Sequence, residues 1–153
     1  MPQIVVETEI ESDIEICFDL ARDIGFYKQS LKHKNEIPVM GKISGLVEEG
    51  DSITWETNHL GFMQHLTLKV SELKKPYVFT DEMTDGSFKS YKHDHIFEKR
   101  NGKTVMIDKL HFSSKYGILG KIVDRLILKR HIRGIMITRN EILKQKAEEL
   151  SKH

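Results

Sequence analysis

A chain of 153 residues matches one domain of common size, long enough to bury about 68–70% of the surface its unfolded form exposes. With 24 basic and 23 acidic side chains, a formal net charge of +1 and 39% hydrophobic residues, it lacks both the basic excess of a nucleic-acid binder and the apolar excess of a membrane protein. A single cysteine, Cys17, excludes an intramolecular disulfide, and with neither a charged-then-apolar leader nor a long apolar run the expected location is cytoplasmic.

Gln3 to Ile10 alternates, placing Ile4, Val6 and Ile10 on one face against acidic neighbours, and predicts a strand with one wet face. Ser12-Asp13-Ile14-Glu15 has the spacing of a capping box, with the Ser12 hydroxyl accepting from the Glu15 amide, and predicts a helix start. Ile14, Cys17, Phe18 and Ala21 supply its buried stripe. Gly25 is expected to interrupt it before a second short apolar turn of Phe26, Tyr27 and Leu31.

From Glu36 to Ser114, turn signals recur at roughly ten-residue intervals, the rhythm of consecutive hairpins and hence of an antiparallel sheet. The predicted strands are Glu36–Ile43, Ser52–Leu60, Phe62–Leu73, Tyr77–Met83, Ser87–Lys99 and Lys103–Ser114. Pro38 marks the first of these as an edge or a strand start. Asp85-Gly86 and Asn101-Gly102 are hairpin turns, since a two-residue type I′ turn needs positive φ at both positions. The tail then reads as one helix from Ile118 to Leu150. Leu119, Ile122, Val123, Leu126, Ile127, Leu128, Ile132, Ile135, Met136, Ile142 and Leu143 form an apolar stripe broad enough to need a sheet as partner.

Several segments, taken with that element order, carry a resemblance. Gly86-Ser87-Phe88 follows a turn, and Tyr91-Lys92-His93-Asp94-His95-Ile96-Phe97 and Thr104-Val105-Met106-Ile107-Asp108 follow in turn. Gly117-Ile118-Leu119-Gly120 opens the final helix, which holds Arg139 near its end. The chain resembles the SRPBCC or START-related superfamily, in particular its small bacterial polyketide-cyclase-like members. The resemblance spans nearly the whole chain and implies an α+β helix-grip fold over residues 1–153. In that fold a seven-stranded curved antiparallel sheet grips a long C-terminal helix, two short helices lie between strands 1 and 2, and a cavity separates sheet from helix. The superfamily includes lipid carriers, hormone receptors, cyclases, coenzyme Q chaperones and Rieske oxygenase domains, so the fold narrows activity little. One cysteine cannot build a Rieske centre, which removes that branch.

Side-chain alternation yields an inward set without the resemblance. Trp55, Thr57 and His59 share a face, as do Gln64 and Leu66; Tyr91, His93, His95 and Phe97 share another, and Met106 and Asp108 align with Leu110 and Phe112. The helix adds Ile132, Ile135, Met136 and Arg139. A mostly apolar wall with a few convergent polar groups suits a small hydrophobic ligand, lipid-like or aromatic, with one polar end. The competing reading is a filled core in which buried His and Asp satisfy one another.

His93 or His95 beside Asp108 would serve as a general base in an alternative reading as a cyclase, dehydratase or hydrolase-like enzyme. A structural or protein-interaction domain without a small ligand is the third possibility. His93-x-His95 has the same-face spacing of two metal ligands, with His59 or Asp108 as a third. Nothing matches the spacing of recognised zinc motifs, and neither metal nor cofactor is expected. Cys17 reads as a small core residue. Lys129, Arg130, His131, Arg133 and Arg139 crowd the helix; a solvated face explains such a run most simply, with a weak membrane-surface or protein contact through Lys129, Arg130 and Arg133 as the alternative. No nucleic acid is expected as partner, and the expected assembly is a monomer or dimer.

Overall fold

The structure is a computed structural model and describes residues 3–31, 36–59, 62–86, 88–114 and 127–152. Its strands are β1 (Gln3–Ile10), β2 (Glu36–Gly41), β3 (Ser52–His59), β4 (Phe62–Lys74), β5 (Val78–Gly86), β6 (Phe88–Arg100) and β7 (Lys103–Ser114). They form one antiparallel sheet in the order β1-β7-β6-β5-β4-β3-β2, so each pair except β1–β7 is also consecutive in the chain. Helices α1 (Ile14–Ala21) and α2 (Ile24–Leu31) connect β1 to β2, and α3 (Lys129–Ser151) follows β7. This is the helix-grip fold that the resemblance implied.

Local chemistry sets the element ends, and in several places it differs from expectation. The N-cap of α1 is Asp13, whose carboxylate accepts from the Glu15 amide at 2.7 Å. An ionised carboxylate at a helix N-terminus gains from the macrodipole as well as the hydrogen bond. The Ser12 hydroxyl is instead paired with Ser151 at the far end of α3. The break between the short helices falls at Arg22 and Asp23, while Gly25 lies within α2; Asp23 Oδ1 accepts from the Phe26 amide at 3.2 Å.

β2 stops at Gly41 instead of Ile43. Gly41 has φ +78°, and a Cβ there would lie 2.2 Å from the Ser52 carbonyl oxygen, so this corner admits glycine alone. β5 begins at Val78 and runs through Asp85-Gly86, which pair with Thr67 and Leu66 of β4 and so belong to a ladder; Ser87 lies outside the described residues. Asn101-Gly102 is the expected turn, with φ of 53° and 77°. The helical stretch expected from Ile118 to Leu126, with Gly117, falls outside the described residues. Ile127, expected on the buried stripe, is 52% exposed.

The interior has two apolar clusters. Ile10, Ile14, Cys17, Phe18, Phe79, Phe97, Met106, Leu143 and Ala147 fill one end, where Phe18 meets Phe79 and Phe97 edge-on at 5.4 and 5.3 Å. Burying such a side chain contributes about 1.5–3 kcal/mol. Ile4, Trp55, Leu66, Leu68, Phe88, Leu110, Phe112, Ile132 and Met136 gather at the other end. Along β7 the chain passes from Met106 in one cluster to Leu110 in the other, with Asp108 between; along α3 it passes from Met136 to Leu143, with Arg139 and Asn140 between. A buried polar belt therefore separates the clusters. Cys17 lies inside the first, and burial pushes its thiol up to about 11, which suits a core residue and no nucleophile.

Candidate functional site

Asp108 is the hub of that belt and is fully buried. Its Oδ1 lies 2.8 Å from His93 Nε2 and 3.3 Å from Arg139 Nη2, and its Oδ2 accepts from Asn140 Nδ2 at 2.7 Å. His95 Nδ1 stands 3.4 Å from the same Oδ1, and His95 Nε2 lies 2.9 Å from Asp81 Oδ2. The two imidazoles stack at 3.8 Å, with Phe79 stacked on the outer face of His95 at 4.1 Å. Arg139 also donates to the Tyr27 hydroxyl, and its guanidinium lies 4.8 Å from the centre of the Tyr27 ring.

These contacts bias the protonation of each group. Burial alone would raise the Asp108 pKa, but hydrogen bonds from His93 and His95, with the positive charge of Arg139, hold it well below the usual carboxylate range. Burial, followed by the neighbouring His95, drives His93 down to about 4, so its ring is neutral at pH 7. Facing an ionised carboxylate, Nε2 of that neutral ring carries the proton and donates, leaving the Nδ1 lone pair unprotonated. His95 is the opposite case: burial opposes its charge, but a carboxylate at each ring nitrogen outweighs burial and raises its pKa. Arg139 and His95 thus both contact Asp108, and His95 also meets Asp81.

His93, His95 and Asp108 offer ligand atoms within 4.8 Å of one another, the spacing of a possible metal group. The chemistry of the donors points the other way. The carboxylate is already accepting from an imidazole, an amide and a guanidinium, and the fixed charge of Arg139 stands 3.3 Å away. A cation would displace those donors and meet that charge.

Beside the belt, between sheet and α3, lies a cavity with about 60 Å³ of water-accessible space. Trp55, Thr57, Leu66, Tyr91, His93, Ile132, Ile135, Met136 and Arg139 of the expected set line it. Leu68 and Leu110, on faces expected to point inward, line it as well, as do Tyr27, Glu36 and Phe88, which were not expected there. His95 faces two smaller cavities, of about 40 and 10 Å³, and Met106 lines the smaller of these. Asp108 is sealed behind the wall that His93 and Arg139 form. Gln64 is half-buried and is not among the described lining residues, and the His59 side chain lies outside the described ones. Burial raises the carboxyl of Glu36 to about 7, against the opposing pull of Arg139, and takes the phenols of Tyr27 and Tyr91 further from ionisation.

Two partners in the belt escaped the sequence. Asn140 follows Met136 by four residues and precedes Leu143 by three, so helical spacing alone puts it on the buried stripe. Asp81 sits diagonally across the β5–β6 ladder from His95, a relation fixed only by register. In the basic cluster, Arg130 and Arg133 are exposed and Lys129 is half-buried. Arg133 donates to the Val5 carbonyl on the outer edge of β1 at 3.1 Å, which blunts an edge strand. Among the described residues no helix is long and apolar enough to cross a membrane.

Comparison with solved structures finds the same architecture in other proteins. TTHA0849 from Thermus thermophilus superposes with a TM-score of 0.78 at 17% identity, covering 98% of this chain and 99% of that one. A START superfamily protein from Mycobacterium smegmatis gives 0.71 at 12% identity, covering 97% and 98%. The major latex-like protein 151 of Panax ginseng gives 0.69 at 11%, covering 95% and 97%. At these identities the likeness is one of fold. No family model matches the sequence, and no curated protein matches it.

Proposed function

We propose that this protein binds a small hydrophobic molecule with one polar end in the cavity between the sheet and α3. The observation that carries this reading is the cavity wall itself: Leu66, Leu68, Leu110, Ile132 and Met136 face the same space as His93, Arg139, Tyr27 and Glu36. The apolar side chains supply affinity by dehydration, and the polar ones fix orientation. Water-accessible space of about 60 Å³ holds a few waters at about 10–15 Å³ each, so a lipid-like guest must displace side chains to enter. Native mass spectrometry of protein purified from its own host is expected to detect a co-purifying small molecule, and a fluorescent apolar probe should bind the emptied protein. A folded protein that carries no guest and binds no probe removes the reading.

The His93–Asp108 contact favours a second reading, acid–base chemistry on the bound molecule. Asp108 fixes the tautomer and leaves Nδ1 as an acceptor on His93, whose side chain lines the cavity. Once the guest is known, a folded His93→Gln variant should lose about 10²–10⁴-fold in its turnover. Undiminished turnover in a His93→Gln, His95→Gln double variant would eliminate both rings from any mechanism.

A further inference from the structure

Tyr27, Trp55 and Leu68 line the cavity beside α3 and also the second cavity, of about 40 Å³, that reaches Asp81 and His95. The rings of Tyr27 and Trp55 stand 5.2 Å apart and tilted, forming the wall between the two spaces. Neither space alone admits more than a few waters. What holds Tyr27 in the wall is Arg139, which donates to its hydroxyl and lies against its ring face. An oxygen atom supplied by a guest can replace that hydroxyl on the guanidinium, and the ring is then free to leave the wall.

We propose that Tyr27 and Trp55 form a displaceable partition, and that the spaces on its two sides make one site for an elongated, uncharged amphiphile whose hydroxyl or carbonyl oxygen takes the place of the Tyr27 hydroxyl on Arg139. This rests on the ligand-binding reading above and adds the class of ligand and the residues that set its length. The ligand is uncharged because the guanidinium groups that line the two spaces already have carboxylate partners: Arg139 faces Asp108, and Arg22 faces Asp19 and Glu48. An anionic head group would bring a further negative charge beside Glu36, whose own carboxyl burial already disfavours as an ion.

Competition against a fluorescent apolar probe, with hexanol, dodecanol and the corresponding carboxylates, tests this on the wild-type protein and on Tyr27→Ala and Trp55→Leu, each of which removes one ring of the partition. In the wild type each alcohol should compete better than the carboxylate of equal length. In either folded variant the preference for dodecanol over hexanol should rise about tenfold, less than two newly buried methylenes would supply at about fourfold each. Carboxylates that compete better than alcohols overturn the assignment of an uncharged ligand, a result that needs no variant. Equal changes for hexanol and dodecanol in both variants overturn the partition while leaving ligand binding intact. Failure of the wild-type protein to bind the probe or any alcohol overturns the ligand-binding reading along with the partition.

Discussion

Asn140 joins α3 to β7 through one hydrogen bond, its amide nitrogen donating to Oδ2 of Asp108 at 2.7 Å with both side chains out of solvent. His93 and Arg139 lie on the other carboxylate oxygen, so Oδ2 has Asn140 as its donor in the described network. Asn140→Leu should cost about 1–3 kcal/mol, the penalty for a buried acceptor left without its partner. Urea midpoints at constant slope measure it. An unchanged midpoint would show that Oδ2 is satisfied by something else.

The pH dependence of stability carries the signature of His93. Its pKa is near 6.5 in the unfolded chain and about 4 in the fold, because burial and His95 disfavour the charge. The unfolded chain therefore takes up a proton that the fold refuses. The stability due to this residue is present above pH 6.5 and is lost as pH falls toward 4, by on the order of 3 kcal/mol. His95 and Glu36, both raised in the fold, act with the opposite sign, so the test is a difference. Denaturation between pH 7 and 4 should show His93→Gln gaining stability relative to wild type as the solution is acidified. A constant difference across that range would mean that His93 takes up its proton as readily in the fold as in the unfolded chain.

Removing Arg139 leaves Asp108 and the Tyr27 hydroxyl without the guanidinium they share. Arg139→Met should destabilise by about 3–5 kcal/mol, as expected when one member of a buried ion pair is deleted. Arg130 is exposed on the same helix, and Arg130→Met should fall within about 0.5 kcal/mol of wild type. Thermal melts of the two variants side by side decide the matter, and equal shifts would place the Arg139 charge in solvent.

Met136 is 3% exposed and lies on the cavity wall. Met136→Ala should cost about 2–5 kcal/mol and enlarge the cavity. Binding of an apolar fluorescent probe should strengthen at the same time. Loss of stability with no change in probe binding would indicate that the space collapses, and no change in either would place Met136 outside the packed interior.

Strand alternation made most of the sheet legible, because a period of two leaves no choice once one face is apolar. His93 and His95 follow Tyr91 and precede Phe97 on the inward face of β6, as their spacing required. Asn140 was legible by helical spacing but was passed over as a polar residue beside Arg139. Tyr27 and Glu36 were not legible as cavity residues. One lies on a short helix, the other at the start of an edge strand, and both reach the site only through the packing of distant elements. The capping box failed at Ser12 because Asp13, one residue later, offers a charged acceptor to the same amide.

The ladder between β5 and β6 has five described pairs and ends at Glu82 with Lys92. Beyond it, β5 continues along β4 as far as Gly86 with Leu66, while β6 continues along β7 from Phe88 with Ser114. The sheet thus parts into two leaves at this end. Leu66 and Leu68 stand on one leaf, Phe88, Tyr91 and Leu110 on the other, and all five border the same cavity. Among the described residues no ladder pair ties these leaves together beyond Glu82 and Lys92. A guest at this end therefore borders two separate strand pairs in place of one continuous wall.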